Sequence, residues 1–350
     1  MERVLVTGAG GHLGANLVRR LLQVGASVRA LLYSDRERRS VAELPVETMI
    51  GDLRHPDFAA AAVSGCTEVH HCAAVISTAN RHRWELFSCN VLATRVLLAE
   101  AQRAGVRKVV VTSSISATGR HTDSGPSDET VPFNPLEHHA PYALTKAAVE
   151  HECLKAVVAG LSVVIAVPTA IVGPNDFKPS RFGQVLQRFA AGRLHAYCPG
   201  GTSFVTARDI AEGHVLAMAH GSPGEKYIFS SEFKTIDDIM RLCSEVTGRP
   251  MPLMRIPPGA MKVLSSGIET IQSLLAPNRE PLVTQSEVRI LQQNRTVDIS
   301  KARTQLGFQP TRVDDAIREA FDCFISRGEI SLPARRRRCV ARHSAPEPST

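Results

Sequence analysis

The first 170 residues carry six apolar runs of strand length, at 3–6, 27–32, 46–50, 69–74, 107–112 and 161–167. Helical patterns lie between them at 13–24, 57–64, 84–104 and 142–158. Strands alternating with helices predict a parallel sheet covered by helices on both faces. Right-handed crossovers then give a doubly wound sheet, with its ligand at the carboxyl ends of the strands.

After Gly173-Pro174 the texture changes. Proline and glycine punctuate the chain, and shorter helical patterns appear at 180–191, 208–219, 235–247, 258–275, 284–292, 300–306 and 313–327. The expected architecture is α/β: a Rossmann-type domain over 1–173, with core strands also drawn from later segments, then a smaller, mostly helical substrate lobe over 174–328. Residues 329–350 read as a basic disordered tail, because the arginines at 335–338 and 342 stand among prolines with little to bury. From Ile330 onward the chain carries four of the seven net positive charges, five arginines less Glu347. The remainder gives no case for nucleic acid. No stretch is long and apolar enough to span a membrane, and no signal pattern opens the chain, so a cytoplasmic protein is expected. The eight cysteines form no C-x-x-C pair. His70-His71-Cys72, with His82 nearby, has zinc-ligand residue types but continues a buried apolar run, so no metal is expected.

Residues 7–14 read TGAGGHLG, between the first strand and the first helix. Gly8 allows the tight turn, Gly11 lets the backbone approach a pyrophosphate, and Gly14 lets helix and strand pack closely. Thr7, His12 and Leu13 complete the loop, and the helix start offers free N–H groups to a phosphate. Further on, Tyr142 and Lys146 stand four apart, on one helix face. Upstream, the strand Val109-Val110-Val111-Thr112 ends in the hydroxyls of Ser113, Ser114 and Ser116.

Together these features resemble the extended branch of the short-chain dehydrogenase/reductase superfamily, over roughly residues 1–328. Asp52-Leu53 stands where the family meets the adenine, and His71-Cys72-Ala73-Ala74 matches its cofactor floor. Asn90 opens a helix pattern of the family, and Pro168-Thr169 begins the PTAIVGP loop that packs on the nicotinamide. Ala207 through His214 matches the family's D-[IV]-A-x-[AG]-H element. Within the branch the chain looks most like hopanoid-associated epimerase/reductase-type proteins. More distantly it is similar to dihydroflavonol reductases and 3β-hydroxysteroid dehydrogenases.

The resemblance implies a mechanism. Ser114 would hold the substrate oxygen, Tyr142 would move the proton, and Lys146 would lower the phenol pKa and bind the nicotinamide ribose. Ser114 is preferred to Ser113 by alignment with the family's hydroxyl; Ser116 is a secondary candidate. For the cofactor, Leu32 holds the position where NAD-preferring relatives place an acid, and Tyr33 the position of an NADP-type arginine. Arg36, Arg38 and Arg39 could meet a 2′-phosphate, which favours NADP(H); Asp35 at a 2′-OH would favour NAD(H).

The substrate is read from departures. Val167 and Ala170 replace the two polar residues of the sugar-nucleotide R-x-x-N-x-x-G-P element, and Thr202-Ser203-Phe204 lacks its diphosphate arginine. The apolar segment 257–277 can be core, an oily pocket wall or a membrane contact. The expected function is an NAD(P)H-dependent ketone reductase or alcohol dehydrogenase on an apolar or cyclic small molecule. The alternatives are an NDP-sugar epimerase and a catalytically idle NAD(P)-binding regulator. The expected partner is the small-molecule substrate, with a homodimer and a peripheral membrane contact left open.

Overall fold

The computed structural model describes residues 3–77, 82–120, 125–135, 140–275 and 284–332, without the side chains of 266, 268–275 and 287. Most of the expected tail, from 333 on, lies outside the described residues, as do the side chains of Ile268, Ile271, Leu274 and Leu275.

The amino-terminal half folds as its periodicity dictates. Strand β1 (Arg3–Thr7) leads into α1 (His12–Gln23), then β2 (Ser27–Leu32), β3 (Glu47–Ile50), α2 (Pro56–Val63) and β4 (Glu68–His71). Helix α3 (Arg83–Leu86) passes through a π segment at Phe87–Leu92 into α4 (Ala93–Arg103). Strand β5 (Lys108–Thr112), α5 (Pro141–Val158) and β6 (Val163–Pro168) complete this half. Beyond it come β7 (Ala170–Val172), α6 (Arg181–Ala190), β8 (Ala196–Tyr197), β9 (Gly201–Thr206), α7 (Ala207–His220), β10 (Lys226–Phe229), β11 (Glu232–Thr235) and α8 (Ile236–Thr247). The last elements are β12 (Met254–Arg255), α9 (Pro258–Leu275), α10 (Gln285–Gln292), α11 (Ser300–Leu306) and α12 (Val313–Ser326).

The main sheet runs β3-β2-β1-β4-β5-β6-β10, with every pairing parallel. Chain order reverses between β1 and β4, and that switch point opens the crevice where ligands bind in such sheets. Strand β10 is a late arrival: it pairs Lys226 to Phe229 against Ile165 to Pro168. Both faces of the sheet centre are buried, so β1, β5 and β6 read as nearly continuous apolar runs. One face packs Leu17, Val18 and Leu21 of α1 against Ile210 and Ala211 of α7 and Leu306 of α11. The other packs Ala59 and Val63 of α2, Leu97 of α4 and Val149 and Cys153 of α5.

The carboxy-terminal lobe has its own core of Phe189, Phe204, Ile239, Ile317 and Phe321. Its helices pack on a three-stranded sheet, β11-β9-β7, beside a two-stranded pair, β12-β8. These strands gave no clear sequence signal, because GTSFVT in β9 is rich in small polar residues. Helix α8 opens on a capping box, Thr235 with Asp238, and closes on Gly248 at φ 71°. A cap of this kind is worth about 1 kcal/mol.

Candidate active site

The glycine loop lies at the switch point, and its glycines do different things. Gly8 has φ 65°, and a Cβ there would come within 2.7 Å of Ala73 Cα. A Cβ on Gly14 would strike Gly8 O and stand 2.8 Å from Ala9 Cα, so this glycine sets how closely α1 meets β1. Gly11 is exposed, and a Cβ there would meet only Gly8 O, at 3.3 Å. Space therefore opens over Gly11 at the start of α1, where unpaired N–H groups favour an anion. This cradle fits a dinucleotide pyrophosphate. Leu13 is buried in the core behind it. His12 turns toward the other lobe, with Nε2 3.2 Å from Gly173 O and 3.1 Å from Pro174 O.

Across the crevice, β5 ends at Thr112 and presents the serines. Ser113 donates to Glu150 Oε1 at 2.5 Å and is 1% exposed, so its hydroxyl points away from the crevice. Ser114 Oγ accepts from Ser116 N at 3.3 Å and Ser116 Oγ at 2.9 Å. With two donors already on its oxygen, Ser114 keeps its own hydrogen for another acceptor. The phenol of Tyr142, near the start of α5, lies close enough to feel that hydroxyl. Burial pushes the Tyr142 hydroxyl up to about 12, and the nearby Ser114 hydroxyl opposes the rise. Lys146, one turn on, donates to Thr112 O at 2.8 Å, and its Nζ lies 5.9 Å from the Tyr142 ring centre. Burial lowers its ammonium to about 8. In the protein alone, burial therefore outweighs the lysine's expected pull on the phenol.

The floor of the crevice is tied by a directed chain of hydrogen bonds. Ala73 N donates to Thr7 Oγ1 at 3.2 Å, and Thr94 Oγ1 donates to Asn90 O at 2.5 Å. The Thr94 oxygen must then accept from His71 Nε2, 2.8 Å away, which leaves His71 Nδ1 to accept from Thr7 Oγ1 at 2.7 Å. Burial, then the Lys146 charge, lowers His71 to about 3 and keeps it neutral. Asn90 sits in the π segment. It exchanges hydrogen bonds with the backbone of Val75 and donates to Thr145 Oγ1 at 3.1 Å. The chain thus joins β1, β4 and the catalytic-helix candidate α5. Beneath it, Thr112 Oγ1 meets His214 Nε2 at 3.2 Å, and His214 Nδ1 meets His70 Nδ1 at 3.4 Å. His70 and His71 are therefore placed as buried structural groups. Among the described residues no cluster of three or more His, Cys, Asp or Glu could hold a metal.

The other expected cofactor contacts are more scattered. Ala74 is exposed at the crevice edge and Leu53 is buried. Asp52 is held by Arg54 through Nε at 2.9 and 3.0 Å, and this pair keeps its carboxyl below the usual range. Pro168 ends β6, and Thr169 turns inward, with Oγ1 on Phe229 O at 3.3 Å. At the end of β2, Tyr33 is 63% exposed and Arg36 is exposed. Arg38 pairs with Asp35 at 2.5 Å, and Arg39 reaches Phe177 O in the other lobe. Two of the three arginines expected to meet a 2′-phosphate therefore have protein partners.

Sequence reasoning missed three residues. Glu150 follows Lys146 by four on the same helix, a spacing that could have flagged it. Glu37 folds back onto the glycine loop from a 3₁₀ turn at Asp35–Ser40. Arg295 had no local signal at all. It is largely buried, which lowers its guanidinium to about 10. It donates to Ile115 O at 2.7 Å, Thr118 O at 3.0 Å, Gly119 O at 2.5 Å and Ser127 Oγ at 3.1 Å. A residue of the carboxy-terminal lobe thus fastens the turn that begins at Ser114.

In α9, Met261 is buried with Cys198 and Val288, while Val263 and Leu264 are 74% and 48% exposed. No helix among the described residues is long and apolar enough to cross a membrane.

Comparison with known proteins shows the family. The family described as NAD dependent epimerase/dehydratase matches residues 4–229. Sterol demethylase protein B of Methylococcus capsulatus is 40% identical, over 93% of this chain and 99% of that protein. The 3 beta-hydroxysteroid dehydrogenase/Delta 5→4-isomerase of Mycobacterium tuberculosis is 32% identical, over 93% of this chain and 91% of that protein. Among solved structures, that of gox2253 superposes with a TM-score of 0.82 at 31% identity, covering 95% of this chain and 100% of that one. The chain belongs to the NAD dependent epimerase/dehydratase family, as an oxidoreductase of the extended short-chain dehydrogenase/reductase type.

Proposed function

We propose that the protein interconverts a ketone and a secondary alcohol on an apolar, cyclic, sterol-like molecule. The observation that carries this is the placing of Lys146 on Thr112 O, 5.9 Å from the Tyr142 ring centre one helical turn before it, beside the turn that Ser114 begins after β5. Ser114 donates to the substrate oxygen and orients it. Tyr142 gives its phenolic proton to that oxygen in reduction and takes it back in oxidation. Its phenol is a poor acid–base group while burial holds it near 12. Lys146, seated on Thr112 O, puts a positive charge where it favours the phenolate, and it binds the nicotinamide ribose. A bound nicotinamide dinucleotide supplies or accepts the hydride.

The substrate class is supported by what the crevice offers. Val167 is fully buried in β6, and Ala170 opens β7, where a sugar-nucleotide site would need polar groups. The guanidinium of Arg295 is engaged by three backbone carbonyls and Ser127. A diphosphate without cationic partners would face a large desolvation cost. The two named relatives act, by their names, on sterols and steroids.

The test pairs two measurements. A panel of 3-ketosteroids and smaller cyclic ketones is followed by absorbance of the reduced cofactor, while calorimetry compares UDP- and GDP-sugars with UMP. Consumption of the reduced cofactor with a cyclic ketone, abolished about 10²-fold or more by Tyr142→Phe at unchanged cofactor affinity, is the expected result. Tight UDP-sugar binding with redox-neutral epimerisation would overturn the assignment.

A further inference from the structure

We propose that Glu37 is the residue that selects the cofactor, and that it selects NAD(H) over NADP(H). The inference rests on the dinucleotide reading of the crevice given above. It differs from what the end of β2 suggests by sequence, where Leu32 leaves no acid and the following arginines point to a 2′-phosphate.

The carboxylate reaches the right place by an indirect route. Ala9 N donates to Leu31 O at 3.1 Å, so the end of β2 lies directly beside the glycine turn. The chain then enters the short turn Asp35–Ser40, which is pinned back against the loop. Ser40 Oγ donates to Glu37 O at 2.7 Å, and Arg19 Nη1 donates to Ser40 O at 3.0 Å. From that anchored turn the Glu37 side chain folds over the loop. Its Oε2 accepts from Tyr33 N at 2.9 Å. A Cβ built on Gly10 would fall 2.6 Å from Glu37 Cβ and 2.7 Å from Oε2, so the side chain lies flat against the third residue of the GAGG turn. A carboxylate is thereby held between the end of β2 and the glycine loop. In a sheet of this topology the adenosine ribose occupies that interval, and an acid there accepts from its 2′-OH. A 2′-phosphate would instead bring two negative charges against a fixed one.

The cations that could compensate are directed elsewhere. Arg38 pairs with Asp35, and Arg39 reaches across to Phe177 O. Arg36 is exposed and is the one member of the run with no protein partner among the described residues. A single solvated arginine is screened by water and salt, whereas the Glu37 oxygen is fixed by a backbone donor.

The experiment is a fluorescence titration of the full chain with NADH and with NADPH, which needs no substrate and no turnover. The wild type is expected to bind NADH about 10-fold or more tightly than NADPH, in line with one charge-assisted hydrogen bond. Glu37→Ala should weaken NADH about 10-fold and leave NADPH unchanged or tighter. Glu37→Gln keeps the shape and an acceptor for Tyr33 N–H, so its fold is safe; it should improve NADPH and weaken NADH less than Glu37→Ala does. Equal or tighter NADPH binding by the wild type overturns the proposal, as does an NADH/NADPH ratio that neither variant moves. Binding of neither nucleotide overturns the dinucleotide reading itself, and this proposal with it.

Discussion

The two ends of the crevice are built on opposite principles. At the Ser114–Tyr142–Lys146 end the polar groups are buried, and protonation is shifted by burial: the phenol up to about 12, the ammonium down to about 8, His71 down to about 3. At the β2 end the charges stand in solvent, with Arg36 and Tyr33 exposed and Asp35 82% exposed at its side chain. Proton transfer needs groups whose pKa an approaching charge can move by several units, and only a low dielectric allows that. Recognition of a ribose needs one well-placed acceptor. The buried end therefore invests in a hydrogen-bond scaffold running from Thr7 to Tyr142, and the exposed end in a single anchored turn.

The sharpest break in this comparison is at the loop shared by both ends. Gly11→Val should weaken dinucleotide binding by about 10²-fold or more, because a side chain there enters the space a pyrophosphate would take. The fold should survive, since the added Cβ meets nothing closer than Gly8 O at 3.3 Å. Gly14→Val is the contrasting control. Its side chain collides with the backbone of Gly8 and Ala9, so expression and melting temperature should fall first. Titration with reduced dinucleotide and a thermal melt separate the two, and full binding by the Gly11 variant would show that the loop is only a structural turn.

Within the buried end, two neighbouring serines should part company. Ser114→Ala should lower kcat by about 10–100-fold with similar cofactor affinity, as expected for loss of an orienting hydrogen bond at the reacting oxygen. Ser113→Ala should leave kcat within a few-fold and instead cost stability, because it leaves the largely buried Glu150 carboxyl with Lys226 alone, at 3.5 Å. Equal kinetic losses would mean that Glu150, acting through Ser113, takes part in the chemistry.

This contrast also shows where the sequence was readable. The strand and helix runs of the first half were legible because both faces of the sheet centre are buried, so β1, β5 and β6 are nearly continuous apolar runs. Ser114, Tyr142, Lys146 and the glycines were legible because their spacing is local: a strand end, one helical turn, one loop. The lobe's strands were not, since β9 and β11 are short and polar and owe their pairing to each other, Glu232 to Phe204 through Thr235 to Gly201. Strand β10 is four residues, recognisable only by what it pairs with. Glu37 and Arg295 were illegible for one physical reason. Each acts through the fold, Glu37 by a turn that bends it back to Gly10 and Arg295 across about 180 residues of chain to Ile115.

Arg295 gives a smaller effect and tests whether the buried end depends on the other lobe. Arg295→Met removes four donors from the 115–119 turn and from Ser127. Ser114 lies directly before that turn, so kcat should fall about 10-fold while dinucleotide affinity, set at the far loop, stays within two-fold. Arg295→Lys should recover only part, because one ammonium cannot reproduce the planar fork. A loss confined to stability, with kcat intact in the folded fraction, would leave Arg295 as a fastening of the fold alone.

The smallest effect is a slope in stability with pH, and it tests the claim that burial governs Lys146. Its folded pKa is depressed to about 8 from an ordinary lysine value of 10.5. Between those values the unfolded chain binds more protons than the folded one, so stability rises with pH. The contribution is fully present above about 10.5 and is lost as pH falls through 8. Tyr142 shifts the other way, but its folded value near 12 places its main loss above 10. Other lysines and tyrosines titrate in the same range, so the readout is a difference. The melting temperature of Lys146→Met minus that of the wild type should shrink by about 2–4 °C as pH rises from 7.5 to 10. The variant carries no buried ammonium to be relieved, whereas the wild type sheds one. A difference that stays flat over this window would mean that the ammonium is well solvated or paired in the folded protein, and that the buried end is less dry than its geometry indicates.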